Sequence, residues 1–142
     1  MNKIFIDADV ILDLLLHREP FFSATAELFS LIEYKEVQAF TTPVVLANIY
    51  YISSKIANKK SARDYIIKLL SIIRIASIDE KIMCLAANST FKDFEDAIQY
   101  YAAQNESITF FVTRNKADYT VADITICTPD EYLQVYHQHS TN

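Results

Sequence analysis

The chain has 142 residues, a length that suits one domain, and 51% of it is hydrophobic, enough to fill a core. Its net charge of −5 argues against a protein held to nucleic acid by bulk electrostatics, although acids that hold divalent cations reverse the local sign. The absence of glycine removes both the phosphate-cradling P-loop and the glycine-rich dinucleotide turn, and it obliges helix ends to use other residues where glycine is usual. No run of eighteen apolar residues and no signal-peptide pattern is present, so the chain reads as a cytoplasmic protein without a membrane span. Cys84 and Cys127 lack partners at zinc-type spacing and read as reduced thiols in apolar surroundings.

The N-terminal stretch sets the frame. Ile4-Phe5-Ile6 is short and apolar, as a buried strand is, and it ends abruptly in Asp7-Ala8-Asp9. Leu12, Leu14, Leu15 and Leu16 then follow at helical rather than alternating spacing. A helix is expected over 22–34 and a β-branched, aromatic strand over 37–41. Thr42-Pro43 places a cap and a first-turn proline before a helix over 44–57. Residues 58–60 read as a polar break. Ser61 with Asp64 then suggests a capping box for a helix to residue 71.

A third strand is expected over 72–78, and helices are expected to open at Asp79 and Asp93. The apolar run 108–112 is the clearest later strand, and 122–127 a short fifth one. Thr128-Pro129 with Glu131 starts the last helix, and residues 137–142 read as a frayed polar tail behind a single domain over 1–136. Apolar strands alternating with helices imply an α/β fold, a three-layer α/β/α sandwich around a parallel sheet of about five strands.

Three stretches carry candidate chemistry. In an open α/β sheet ligands bind beyond the carboxyl ends of the strands, where Asp7 and Asp9 stand. Either of them, or Asp13, can also cap the helix that follows. Asp93 and Asp96, with Glu95 between them, share a helical turn, and Asp93 also suits the cap. Thr113, Arg114, Asn115, Lys116 and Asp118 follow a buried strand. Thr113 and Asn115 can hydrogen-bond a ligand, Arg114 or Lys116 can meet a phosphate, and Asp118 can hold a metal. Carboxylates gathered at strand ends repel one another unless cations lie between them, and hard oxygen donors select Mg²⁺ or Mn²⁺. Such ions support in-line attack on phosphorus, so phosphodiester hydrolysis is the natural chemistry.

These motifs, in this order, resemble the PIN domain, in particular its VapC-like toxin group. The resemblance rests on residues 4–13, Arg18-Glu19-Pro20-Phe21, residues 42–52, Asp93-Phe94-Glu95-Asp96-Ala97-Ile98-Gln99, and Val112-Thr113-Arg114-Asn115-Lys116-Ala117-Asp118-Tyr119. It implies Mg²⁺- or Mn²⁺-dependent cleavage of RNA, a homodimer, and neutralisation by a small antitoxin protein. By position it implies metal-site acids at Asp7, Asp96 and Asp118, with Thr113 and Asn115 as polar helpers.

One position departs from the family pattern: Asn48 stands where a glutamate usually joins the acids. Its amide removes one negative charge, and Glu95 is the candidate to compensate. The departure keeps open a catalytically weakened module that binds RNA or protein. Asp7-Ala8-Asp9 also resembles the start of haloacid-dehalogenase-like phosphatases, but Ile11 and the lack of glycine depart from that pattern. Lys55, Lys59, Lys60 and Arg63 read as a solvated face. Tyr50, Tyr51 and Tyr100 are available for stacking on bases.

Overall fold

The computed structural model describes residues 2–140. Five strands form one sheet in the order β3-β2-β1-β4-β5, and every neighbouring pair is parallel. The strands are β1 (Lys3–Ile6), β2 (Gln38–Thr41), β3 (Arg74–Ile75), β4 (Phe110–Val112) and β5 (Thr125–Cys127). The helices are α1 (Ala8–Leu15), α2 (Phe22–Glu33), α3 (Pro43–Ile56), α4 (Lys59–Ile72), α5 (Glu80–Ala87), α6 (Phe94–Asn105) and α7 (Pro129–Ser140).

Successive strand residues point to opposite faces of a sheet. Ile4, Phe5 and Ile6 are all fully buried, so helices cover both faces of β1. The central packing unit is the stacked pair Phe5 and Phe111, with ring centroids 4.6 Å apart. Tyr132 of α7, also fully buried, meets Phe110 edge-on at 5.3 Å.

The chain leaves β1 toward β2 on one side and places β4 on the other, so the order reverses at β1. This is the switch point at which open α/β sheets hold ligands. Asp7 sits there: its backbone amide continues the ladder to the Val112 carbonyl at 3.0 Å, while its side chain lies beyond the strand.

Several local expectations are corrected. Asn58, not Ser61, caps α4, accepting from the Ser61 amide at 2.8 Å, so residues 59 and 60 are helical rather than a break. That helix continues to Ile72, which shortens β3 to two residues. The fifth strand begins at Thr125 rather than 122, because residues 122–124 belong to the connection before it. Helix α7 runs on through residues 137–140, where a polar tail was expected; residues 141 and 142 lie outside the described part. The Thr128–Glu131 capping box forms as expected, with reciprocal bonds of 2.9 and 3.2 Å.

Three helices end without glycine in the left-handed turn that glycine usually fills. His17, Lys35 and Ser107 take positive φ of 49°, 60° and 58° just beyond α1, α2 and α6. Each is followed by an amide that reaches back to a last-turn carbonyl: Arg18 to Asp13, Glu36 to Leu31, and Ile108 to Ala103.

Candidate active site

The strand ends around β1 bring together side chains from four segments. Asp7 caps α1, accepting from the Ala8 amide at 2.8 Å through Oδ1. Its other oxygen, Oδ2, accepts from the hydroxyl of Thr113, fully buried at the end of β4, at 2.9 Å. The Tyr119 hydroxyl lies 3.4 Å from this same oxygen and 3.1 Å from Asp96 Oδ1. Two carboxylates from opposite ends of the chain therefore meet on one phenol. Asp96 reaches it because Asp93 caps α6 and accepts from the Asp96 amide at 2.9 Å, turning the first helical turn toward the sheet edge.

The electrostatics of the pair are strained. Burial first, then repulsion from Asp9, pushes the Asp7 carboxyl up to about 7. Asp96 is raised to about 6, again by burial first; the Tyr119 hydrogen bond opposes this, and Asp93, Asp118 and Glu95 add to it. Desolvated acids that crowd one another hold their protons unless a positive charge is supplied. Burial raises the Tyr119 phenol, and the two carboxylates add to the shift, so it stays a neutral donor.

Asp9 lies on the other flank. Its Oδ2 accepts from the Arg114 amide at 3.0 Å, while Oδ1 is buried without a hydrogen-bond partner. Burial raises its carboxyl, against the pull of the Arg114 amide and guanidinium.

Arg114, expected to meet a substrate phosphate, is engaged inside the protein instead. Its guanidinium grips the fully buried Asp13 through two bonds of 2.6 and 3.1 Å and lies 3.9 Å over the Phe21 ring. A bidentate pair backed by an aromatic face leaves little of the fork for a ligand. Lys116 is similarly occupied, at 2.9 Å from Glu131.

Asn48 lies against one acid, Glu95. Its Nδ2 donates to Glu95 Oε2 at 3.3 Å, so α3 holds a carboxylate that α6 supplies. Asp118 lies exposed in the 3₁₀ turn Lys116–Asp118, one of the acids that raise Asp96. Asn115 opens that turn; its amide donates to Thr113 Oγ1 at 3.1 Å, and it too is exposed. Tyr119 ends the last motif but was given no role there, because a lone tyrosine in a polar loop has no periodic or capping pattern to mark one.

A profile of the PIN domain matches residues 3–117.

The chain belongs to the PIN domain family.

A relative of this PIN domain, Ribonuclease VapC1 of Aquifex aeolicus (strain VF5), is 26% identical over 137 residues, and the match covers 94% of both chains. Among solved structures, a toxin–antitoxin complex from Klebsiella pneumoniae superposes with a TM-score of 0.67 at 19% identity, covering 89% of this chain and 97% of that one. Mycobacterium tuberculosis VapC20, described as a Sarcin-Ricin loop cleaving toxin, superposes with a TM-score of 0.66 at 14% identity, covering 86% and 98%. These structures share the five-stranded PIN fold. The phosphatase-like reading of Asp7-Ala8-Asp9 is thereby set aside.

The donor set of this PIN domain suits a hard divalent cation. Asp7 and Asp96 offer carboxylate oxygens around one hydroxyl, and Asp9 keeps a buried oxygen without a partner. Among the described residues no three His, Cys, Asp or Glu side chains gather tightly enough to enclose one ion. Mg²⁺ does not need such a cage: it keeps several waters and is commonly bound through one or two carboxylates. No described helix is long and apolar enough to cross a membrane, and both cysteines are free thiols, Cys127 buried as expected but Cys84 exposed rather than in apolar surroundings.

Proposed function

We propose that this PIN domain is a Mg²⁺- or Mn²⁺-dependent endoribonuclease and the toxin of a type II toxin–antitoxin pair. The observation that carries the reading is the meeting of Asp7 and Asp96 on the Tyr119 hydroxyl at the sheet's switch point. Two raised, mutually repelling carboxylates in that position favour a bound cation. The similarity to Ribonuclease VapC1 supports RNA as the substrate, and the likeness to toxin–antitoxin complexes supports a small antitoxin as partner.

In this reading Asp7 and Asp96 hold the cation, with Asp118 and Glu95 as further acids at the rim. When bound, the cation supplies Lewis acidity and neutralises charge that develops on the phosphodiester. Thr113 fixes the rotamer of Asp7 by donating to Oδ2, and the Ala8 amide holds the other oxygen. Asn48 restrains Glu95, so the negative charge lost from α3 is returned from α6. Asn115 presents an exposed amide beside the site. The protein is proposed to act in the cytoplasm as a homodimer.

The test is cleavage of a mixed RNA pool by wild type and by the double variant Asp7→Asn/Asp96→Asn, each in Mg²⁺, Mn²⁺ or EDTA. Hydrolysis by wild type alone, abolished by EDTA, is the expected result. The Asn48 substitution motivates a second reading, a PIN fold that binds RNA or protein with weakened turnover. Folded, antitoxin-free wild type that binds RNA without cutting it in either metal would favour that reading.

A further inference from the structure

A cavity of about 620 Å³ is lined by Asp96 and Asp118. Its size falls within the roughly 300–1,000 Å³ typical of ligand pockets. Phe91, Tyr100 and Tyr101 form an aromatic wall, and Thr90, Lys92 and Thr120 line the polar side. A second cavity, of about 250 Å³, lies along α5 and α6 and is lined by Lys81, Leu85, Tyr101, Gln104 and Asn105 among others. Tyr101 lines both cavities. That ring is held by its neighbours: it meets Tyr100 edge-on at 5.0 Å and Phe91 at 6.4 Å.

Asp93, Asp96 and Asp118 line the first cavity together with Lys92, and Asp79 lines the second together with Lys81, so a phosphate is repelled there unless a cation or a lysine answers it. Lys92 lines the first cavity and Lys81 the second, both exposed. Neither is paired with an acid among the described residues, in contrast to Arg18, Arg114 and Lys116. With a net charge of −5 the molecule has no bulk attraction for a polyanion, so a strand must be held by such local contacts. Aromatic faces beside backbone-tracking cations are the elements of single-strand binding.

We propose that these two cavities are consecutive nucleotide subsites for single-stranded RNA leaving the acidic site, with Tyr101 as the partition between two bases and Lys92 and Lys81 as contacts to the two phosphates. The proposal rests on the ribonuclease reading for its substrate but makes its own demands. Tyr101 acts in binding rather than in bond cleavage.

The test uses single-stranded octaribonucleotides carrying one 2-aminopurine at successive positions, bound to Asp7→Asn protein. Two neighbouring positions are expected to lose fluorescence on binding, as stacking requires. Adding Tyr101→Ala is expected to restore fluorescence there and weaken binding about tenfold, while Tyr101→Phe, which keeps the ring, binds like its parent. Removing Lys81 and Lys92 is expected to lower the salt dependence by about 0.7 per lysine. In the cleaving protein, Tyr101→Ala is expected to raise KM about tenfold with kcat within about twofold. RNA cut normally, with binding, quenching and KM indifferent to Tyr101 and both lysines, overturns the subsites and leaves the nuclease standing. Quenching that depends on Tyr101, in a protein that cuts no RNA, keeps the subsites and removes the nuclease.

Discussion

The two flanks of the acidic edge are built in opposite ways. On the α1 flank the buried acids are tied to cations and amides: Asp13 is fully buried and held by Arg114 and Arg18, Arg114 rests on Phe21, and its amide holds one oxygen of Asp9. On the α6 flank Asp118, Lys92 and Lys81 are exposed and lack ion pairs, and cavities lie between them. The sheet edge thus has a pinned side that sets geometry and an open side with room for a ligand. Asp7 sits on the seam, tied to the pinned side through Thr113 and facing the open side through Tyr119.

Breaking the pinned side should cost most. Asp13→Asn leaves the Arg114 fork facing a neutral amide in a buried position, and a loss of about 3 kcal/mol is expected in urea unfolding. The same change frees the loop over 113–118, so RNA cleavage should fall with it. An unfolding free energy within about 0.5 kcal/mol of wild type would mean that the loop is placed by something other than this pair.

The seam is tested by pH. Asp7 is raised to about 7 in the folded protein, so the native state binds a proton that the unfolded chain, near 3.8, releases. Its contribution to stability is therefore full below about 4 and is lost as pH rises to about 7. In metal-free protein, wild type relative to Asp7→Asn should lose on the order of 4 kcal/mol across that window. Parallel wild-type and variant curves in chemical denaturation would remove Asp7 as the strained group.

The open side predicts the smallest effect. Tyr119→Phe deletes a buried hydroxyl between two acids, at an expected cost of about 1 kcal/mol. Because that hydroxyl lowers the Asp96 carboxyl, the variant should titrate Asp96 at higher pH than wild type in carboxyl ¹³C NMR. A lower value would mean that the phenol does not donate to Asp96.

The contrast between flanks also marks what could be seen in the sequence. The β1 strand with Asp7 at its end was legible because a short apolar run that stops in an acid fits a buried strand and little else. The α6 start at Asp93 was legible through capping chemistry, and β4 through its apolar run. The pinned flank was not, because Asp13 and Arg114 are 101 residues apart and nothing local ties an arginine after β4 to an acid inside α1. Tyr100 shows the same limit: offered as a stacking face, its hydroxyl is bound to Asp123 and its ring is buried. The short β3 was hidden by a helix that continued past its expected end, and the cap at Asn58 by the Ser61–Asp64 spacing that suggested a later start.

The left-handed helix ends at His17, Lys35 and Ser107 bear on how this surface moves. Glycine-hinged loops admit ligands by swinging their backbone, and a chain without glycine has a side chain at every such point. The turns beyond α1, α2 and α6 thus hold their left-handed conformation without the backbone freedom that glycine would bring, while exposed side chains such as Lys92 and Lys81 change rotamer on the picosecond to nanosecond scale.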